Sequence, residues 1–488
     1  MSLPSEYFKD KTVFVTGCTG LVGQLLIEKL IRLNVHRIFV LVRPKKGISP
    51  IERMTALFGT PIFADPNNNV AENKKISKKI RILEGDLAEN NFNLSSEDQN
   101  LLTEETEIVF HAAAHVRFDD CLKDCVTINV KATRELLLMA EKMTKLSSFV
   151  YVSTAFAQMH HKLVSEKFYP ASICPDIMIK ALELFENEDY IDTFTQKIIA
   201  PHVNSYTFSK TLAEELINRW KMKLPVCVVR PSIILTTHKE PFPGYTSNFY
   251  GINGIICGVG FGIMRVTNIG PETLSDIVPA DYVSNFILLA AWNQTQKTSR
   301  EVVFNCCANE KSVTNKFVGD KSVEIGKTMP LKRSLWKICY TSRNFHGFFC
   351  VVELFYHILP AFLFDFLLIL QRRKPKIVKI YRKIAKFQNA LGQFFNRDYK
   401  FDNTNMKKVI DEVKSEQERE IFQCDIRNIN WDEFWPFYIK GMRRYLMKED
   451  DDTIEEALKR HKLLTIVHNF IFGVIYLQIL YIFVKLLL

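Results

Sequence analysis

The chain has eleven cysteines among its 488 residues, yet no C-x-x-C and no His/Cys spacing; only Cys306 and Cys307 are adjacent. That excludes a disulfide framework and a zinc site as expectations, and no metal is expected; reduced thiols in a cytosol-facing domain are the simplest reading. No segment interleaves basic and aromatic residues as a nucleic-acid module does, so nucleic acid is not an expected partner. The start, MSLPSEYFKDK, is polar and charged, which does not fit a signal peptide. Internal repeats and low-complexity tracts are lacking too.

The most telling absence is of charge from Leu463 to Val484, where LLTIVHNFIFGVIYLQILYIFV holds no Asp, Glu, Lys or Arg. As a helix this stretch extends roughly 33 Å at about 1.5 Å per residue, enough to cross a hydrocarbon core of about 30 Å. Lys459, Arg460, His461 and Lys462 precede it, which places the bulk of the chain on the cytosolic side. The expected anchor covers 463–485. Leu486-Leu487-Leu488 is not the peroxisomal Ser-Lys-Leu type, so the endoplasmic reticulum is favoured over the peroxisome.

What is present is apolar and basic. Hydrophobic residues make up 47%, sufficient for a full core, and the net charge is +10. Such a charge suits a polyanionic ligand such as a dinucleotide or coenzyme A phosphate, or an anionic membrane surface. Strand and helix patterns alternate over the first 310 residues. Strands are expected at Thr12 to Val15, Arg37 to Val42, Lys79 to Glu84, Glu107 to His111, Ser148 to Val152 and Val226 to Val229. Helices are expected at Gln24 to Leu33, Asp119 to Met143 and Ser205 to Met222. The fold class is therefore α/β, a Rossmann-type doubly wound parallel sheet, followed by a helical C-terminal domain and the transmembrane helix. The expected domains are 1–330, with substrate loops 155–204 and 241–270, then 345–450, then the anchor.

Between the first strand and its helix lies Gly17-Cys18-Thr19-Gly20-Leu21-Val22-Gly23. Gly17 permits a tight turn, Gly20 lets backbone approach a pyrophosphate, and Gly23 lets the helix pack on the strand. Its placement between a strand and a helix identifies a dinucleotide site. Val42-Arg43-Pro44-Lys45-Lys46 ends the second strand without an acid to accept from a ribose 2′-hydroxyl, whereas an Arg accommodates a 2′-phosphate; NADPH is favoured over NADH. Gly85-Asp86-Leu87 serves the adenine edge or is a plain turn.

Tyr206 and Lys210 stand four apart on the first turn of a helix, hence on one face. A phenol with a pKa near 10 is a poor acid-base group at neutral pH, and a nearby ammonium lowers that pKa. This pairing serves proton transfer coupled to hydride transfer. Ser153 and Thr154 end the fifth strand on the carboxyl edge; either hydroxyl can hold a substrate carbonyl oxygen, according to strand register.

The C-terminal third changes character. Phe345 to Leu370 is apolar but interrupted by Glu353, His357, Pro360 and Asp365, which favours a hydrophobic hairpin, buried or dipping into an interface, over a plain span. Gln371 to Gln388 carries eight Lys or Arg and no acid, with Ile377, Ile380, Tyr381 and Ile384 at helical spacing; it reads as a membrane-surface helix or as a solvated charged face. Trp431, Phe434, Trp435 and Tyr438 form an aromatic stripe that packs a small helical core.

Residues 10 to 310 together resemble the extended short-chain dehydrogenase/reductase superfamily. That resemblance implies cofactor contacts from Thr16, Gly17, Thr19, Gly20, Leu21, Val22, Gly23, Arg43, Asp86, Leu87, His111 to Ala114 (Ala112 and Ala113 above all), Lys210 and Pro231. It implies Thr154, Tyr206 and Lys210 as the catalytic set, with Ser153 alongside and Asn129 in support of a proton relay. VRPKKG, HAAAHVRFD, YVSTAFA, YTFSKTLAE, RPSII and EPFPGY, with YHILPAF, KPKIVKIYRKI and GMRRYLMKEDD, are similar to the alcohol-forming fatty acyl-CoA reductases over nearly the whole chain. Tyr245 stands where Trp is expected. The resemblance implies NADPH-dependent reduction of a long-chain acyl-CoA to an alcohol through an aldehyde. Expected partners are that substrate, membrane lipid and a second copy in a homodimer. A membrane-bound sterol dehydrogenase/isomerase and a non-catalytic dinucleotide-binding scaffold are the rival assignments. A carrier-linked carboxylic acid reductase would need further domains for which the chain has no room.

Overall fold

Short runs rich in β-branched and aromatic residues favour strands, and the inner strands of a parallel sheet are buried on both faces. In the computed structural model, which describes residues 3–63, 78–117, 121–184, 188–296, 302–342 and 346–487, seven strands realise this pattern. They are β1 (Thr12–Thr16), β2 (Arg37–Val42), β3 (Ile80–Glu84), β4 (Ile108–His111), β5 (Ser148–Val152), β6 (Val226–Pro231) and β7 (Val303–Cys306). All pairs are parallel, in the order 3-2-1-4-5-6-7. Val13 sits beside Ile38 on one side and Ile108 on the other, so the order reverses at β1 and β4, and a crevice opens at their carboxyl ends.

The first six strands fall within a residue or two of their expected positions. β7 was not foreseen; its pattern, VFNC, is short and mixed. The helix expected over Asp119 to Met143 is three segments, Leu122–Val126, a π-type turn Thr127–Lys131, and Ala132–Ala140; residues 119 and 120 lie outside the described ones. The 155–204 insertion holds the short turn Ala155–Gln158, strand Leu163–Val164 and helices Pro175–Leu184 and Glu188–Ile199.

The chain divides into two compact units that interleave in sequence. One comprises Met1–Pro243, Asp276–Ser312 and Tyr399–Ile429; the other Gly244–Ser275, Val313–Asp398 and Asn430–Leu488. The boundary expected at 330 does not coincide with this division, and the expected 345–450 domain is shared between the units. The cause is contact between residues distant in sequence. In the first unit Lys400–Phe401 pairs with Leu163–Val164, and the Glu166 carboxylate accepts from the Asn305 and Met406 amides at 2.8 and 3.1 Å.

In the second unit, helices Ile252–Gly260, Asn315–Thr328 and Trp431–Gly441 enclose the aromatic stripe. Trp431, Phe434, Trp435 and Tyr438 are buried; Trp435 Nε1 donates to Ser322 Oγ at 3.1 Å and the Tyr438 hydroxyl to Asn253 Oδ1 at 2.8 Å. Gly244, at φ +83°, lies against Gly441, where a Cβ would come within 1.8 Å of the Gly244 carbonyl oxygen. Tyr245 is buried and its ring meets that of Tyr445 at 5.4 Å. Residues 346–370 form one helical run, through His346–Glu353, Leu354–Ile358 and Leu359–Leu370, and fold back only into Ile377–Phe395, so the hairpin is longer than expected. The last helix, Ile454–Leu487, is roughly 50 Å long at about 1.5 Å per residue. Phe349–Leu370 and Asp451–Ile482 are each long and apolar enough to cross a membrane.

A buried ion pair ties the insertion to the sheet of the first unit. Arg230 on β6 and Glu214 on helix Ser205–Trp220 meet at 2.6 Å, both almost wholly excluded from solvent. Arg230 also donates to the Ser165 and Lys167 carbonyls at 3.1 and 2.9 Å, and Ser153 Oγ donates to Glu214 at 2.5 Å. Glu214→Gln leaves the guanidinium buried without its counter-charge. The expected loss is about 3–5 kcal/mol of stability, read as a lowered thermal midpoint.

Candidate active site

The glycine turn is shaped by contacts that no side chain could share. Gly17 has φ +77°, and a Cβ there would lie 2.6 Å from the Ala113 amide nitrogen; a Cβ on Gly23 would lie 2.2 Å from the Gly17 carbonyl oxygen. Gly20 caps the helix Leu21–Arg32 with no side-chain bond to the first amides and no acid in the first turn. Thr19 and Gly20 are exposed, Val22 is half-buried and Leu21 is buried beneath them. An open helix N-terminus beside bare backbone suits a pyrophosphate, so these residues fit the dinucleotide that the motif implies.

Thr16 and the β4 exit close the floor. Thr16 Oγ1 accepts from the Ala113 amide at 3.3 Å and lies 2.7 Å from His111 Nδ1; His111 Nε2 lies 3.0 Å from Thr133 Oγ1. Thr133 spends its hydroxyl proton on the Asn129 carbonyl at 2.7 Å. His111 must then donate through Nε2 and accept from Thr16 at Nδ1, which assigns the neutral Nε2–H tautomer. Burial agrees, lowering its pKa to about 3.

Thr133 also hydrogen-bonds Tyr151, and Tyr151 leads to Lys210. Lys210 is buried; its Nζ donates to the Tyr151 hydroxyl at 3.2 Å and to the Val152 carbonyl at 2.7 Å, and sits 4.6 Å from the centre of the Tyr151 ring. Burial lowers the Lys210 pKa to about 7, opposed by the Glu214 carboxylate. Tyr206 is half-buried as a residue; its hydroxyl hydrogen-bonds Thr154, and burial raises its pKa above the ordinary phenol value. Here the structure differs from the expectation that Lys210 draws the phenol down: burial raises it, and the Lys210 amine is held on Tyr151 and the Val152 carbonyl. A raised pKa keeps Tyr206 protonated at neutral pH, the state a proton donor needs.

Strand register separates the two hydroxyls that the sequence left open. Thr154 meets Tyr206, whereas Ser153 turns into the Glu214–Arg230 pair. Asn129, in the π-type turn, accepts from the His115 amide at 2.7 Å and donates to Ser209 Oγ at 2.9 Å, which fixes the chain after β4 against the helix that bears Tyr206. Pro231 ends β6, buried beside Cys306.

At the outer end of the crevice exposed Arg43 pairs with half-buried Asp86 at 3.3 Å, and Lys45 and Lys46 are exposed. Asp86 Oδ1 accepts from the Ala88 amide at 3.1 Å, a local turn, and Leu87 packs on the core. Two residues escaped the sequence reading. Arg53 donates to the Arg43 carbonyl at 2.5 Å, adding a second guanidinium beside the turn; the capping box Ser49 to Glu52 signals the helix start that places it there. Tyr151, one position before the end of β5, reads locally as core and carried no signal. Among the described residues no cluster of His, Cys, Asp or Glu could hold a metal ion.

A dinucleotide turn at a strand-order reversal, with Tyr206, Lys210 and Thr154 gathered in the same unit, defines a nucleotide-dependent oxidoreductase of the short-chain reductase type. Two models described as male sterility protein match the chain, an NAD-binding one over residues 15–287 and a second, termed Sterile, over 356–449. Among relatives, fatty acyl-CoA reductase wat of Drosophila melanogaster is 34% identical over 96% of this chain and 90% of its own length. Fatty acyl-CoA reductase 2 of Homo sapiens is 33% identical over 96% and 91%. The chain belongs to the fatty acyl-CoA reductase family. Solved structures share its fold: the terminal reductase domain of the myxalamid biosynthetic pathway has a TM-score of 0.59 at 17% identity, covering 91% of this chain and 93% of that one. The reductase domain of a non-ribosomal peptide synthetase from Mycobacterium tuberculosis also gives 0.59 at 17%, covering 90% and 92%.

The depressed Lys210 pKa makes stability depend on pH. The unfolded lysine, near 10.4, keeps its proton over a window from about 7 to 10 in which the folded one has lost it, so the native state gains as pH rises, by up to about 1.4 kcal/mol per pH unit. Thermal midpoints measured at pH 7 and pH 9 should show the parent chain gaining on Lys210→Met, which has no proton to lose.

Proposed function

We propose that the chain reduces long-chain fatty acyl-CoA with NADPH, releasing CoA and carrying the aldehyde on to the fatty alcohol. The supporting observation is the Tyr206–Thr154 hydrogen bond, with a protonated Tyr206, on the carboxyl edge that also carries the glycine turn. The names of the relatives supply the substrate class.

The residues from Thr16 to Gly23, with Arg43, Asp86, Leu87, Ala112, Ala113, Lys210 and Pro231, would hold the dinucleotide, which supplies hydride when bound. Tyr206 gives its proton to the thioester carbonyl oxygen as negative charge develops there, and Thr154 orients the phenol and shares the oxygen. Lys210, held still by Tyr151 and the Val152 carbonyl, would hydrogen-bond the dinucleotide at the same corner. Ser153 acts by anchoring β5 to Glu214. The resulting hemithioacetal then breaks its C–S bond: its hydroxyl proton returns to Tyr206, the departing sulfur takes a proton from solvent to leave as CoA thiol, and the aldehyde oxygen takes the Tyr206 proton on a second round. The 2′-phosphate of NADPH falls to Arg43, with Arg53 beside it. The last helix holds the protein in the endoplasmic reticulum membrane with its reductase unit in the cytosol.

Purified protein given palmitoyl-CoA should oxidise NADPH and yield hexadecanol. Tyr206→Phe should cut turnover by about 10²–10⁴-fold and leave NADPH affinity intact; a fully active variant would remove Tyr206 from this role. Arg43→Ala should weaken NADPH by roughly tenfold, about 1.4 kcal/mol, with NADH unaffected in direct binding titrations. Equal losses for both cofactors would refute recognition of the 2′-phosphate.

A further inference from the structure

The polar interruptions of the 346–370 helix point inward. His357, Ala361 and Asp365 form one stripe at four-residue spacing and are buried. His357 Nε2 accepts from the Arg265 amide at 3.0 Å, and its ring stacks on Tyr381 of the returning helix at 5.1 Å. Asp365 accepts from the amides of Lys376, Ile377 and Val378 at 2.8, 2.8 and 2.9 Å, capping Ile377–Phe395. Asp365 is the only acid between Glu353 and Asp398, so this bonding leaves the outer face without one.

That outer face is a continuous apolar ridge. Phe355, Phe362, Phe364, Phe366, Ile369 and Leu370 are each more than half exposed. Beside it all eight Lys and Arg of 371–388 are exposed, and none pairs with a carboxylate among the described residues. Both ends of the hairpin are fixed on one side: Thr341 donates to the Arg265 carbonyl at 3.0 Å, and Asn396 Nδ2 to the Asn268 carbonyl at 2.9 Å. Tyr356 also meets Phe472 of the last helix at 5.2 Å between ring centres, so the ridge begins beside that apolar helix.

We propose that residues 346–388 form a monotopic membrane-docking hairpin, which lays its phenylalanine ridge into one leaflet of an anionic bilayer while its cations engage lipid phosphate and carboxylate groups. A ridge without acids flanked by unpaired cations matches such a surface in both polarity and charge. A second crossing is ruled out by the return path. It would carry Arg372, Arg373, Lys374 and Lys376 to the far side and draw Lys379, Arg382, Lys383 and Lys386 through the hydrocarbon.

The test uses the full chain, which the last helix keeps on the membrane, and reads depth rather than binding. An environment-sensitive fluorophore on Phe366→Cys should be quenched by shallowly labelled lipid in vesicles containing phosphatidylserine, while one on Leu163→Cys in the other unit should not. Replacing Lys379, Arg382, Lys383 and Lys386 by Glu should lower that quenching several-fold on phosphatidylserine vesicles and leave it little changed on pure phosphatidylcholine. In sealed microsomes, Leu335→Cys and Arg373→Cys should both react with a membrane-impermeant thiol reagent added outside. Absence of quenching at 366, an unchanged preference in the charge-reversed chain, or protection of 373 alone would each overturn the proposal. None of these readouts depends on reductase activity.

Discussion

Backbone lying directly on backbone at Gly17 is the constraint on which the reductase unit depends. The turn presses on the Ala112–Ala113 peptide so closely that a single methyl group would not fit, and Gly23 presses in turn on Gly17. This sets how β1, its helix and β4 cross, and thereby the width of the crevice at their carboxyl ends. The Thr16 and His111 hydrogen bonds inherit their geometry from that crossing. Through Thr133 and Tyr151 the same geometry reaches Lys210, so the phosphate turn and the proton-transfer corner belong to one bonded framework.

Two buried cations in that framework are treated in opposite ways. Arg230 has a carboxylate and two carbonyls as partners, and its work is to join strand and insertion. Lys210 has a phenol, a ring face and one carbonyl, none with a full negative charge. The low dielectric then works against its charge, and its proton becomes labile near neutrality. A side chain that must respond to a bound anion is best left undercompensated, and one that must hold structure is best fully paired.

The helical unit follows a different logic. There the informative groups are the few polar ones in apolar helices. Turned inward eight residues apart on one face, His357 and Asp365 bind backbone amides and leave the opposite face apolar. Average hydropathy cannot distinguish such a ridge from a poor transmembrane span, because it counts residues without regard to the face they occupy.

Much of the reductase unit was legible from local pattern. Six strands, the glycine turn and the Tyr206–Lys210 spacing each follow from short-range stereochemistry: strand runs, the conformational freedom of glycine, and the helical repeat. The long apolar helix that ends the chain was legible because twenty-odd uncharged residues have few alternatives. What resisted reading depends on contacts between residues far apart in sequence. Only strand register sends Ser153 toward Glu214 and Thr154 toward Tyr206, since adjacent residues on a strand face opposite ways. Only the packing of β5 on β4 and helix 205–220 brings Tyr151 under Lys210, and the parallel pairing of Lys400–Phe401 with Leu163–Val164, with the Glu166 bond to the Met406 amide, returns residues 399–429 to the sheet unit. The sequence by itself determined which chemistry the chain can hold, because motif spacing is local. The tertiary structure decided which side chain stands where and with what charge, because burial and hydrogen-bond direction exist only once distant segments meet.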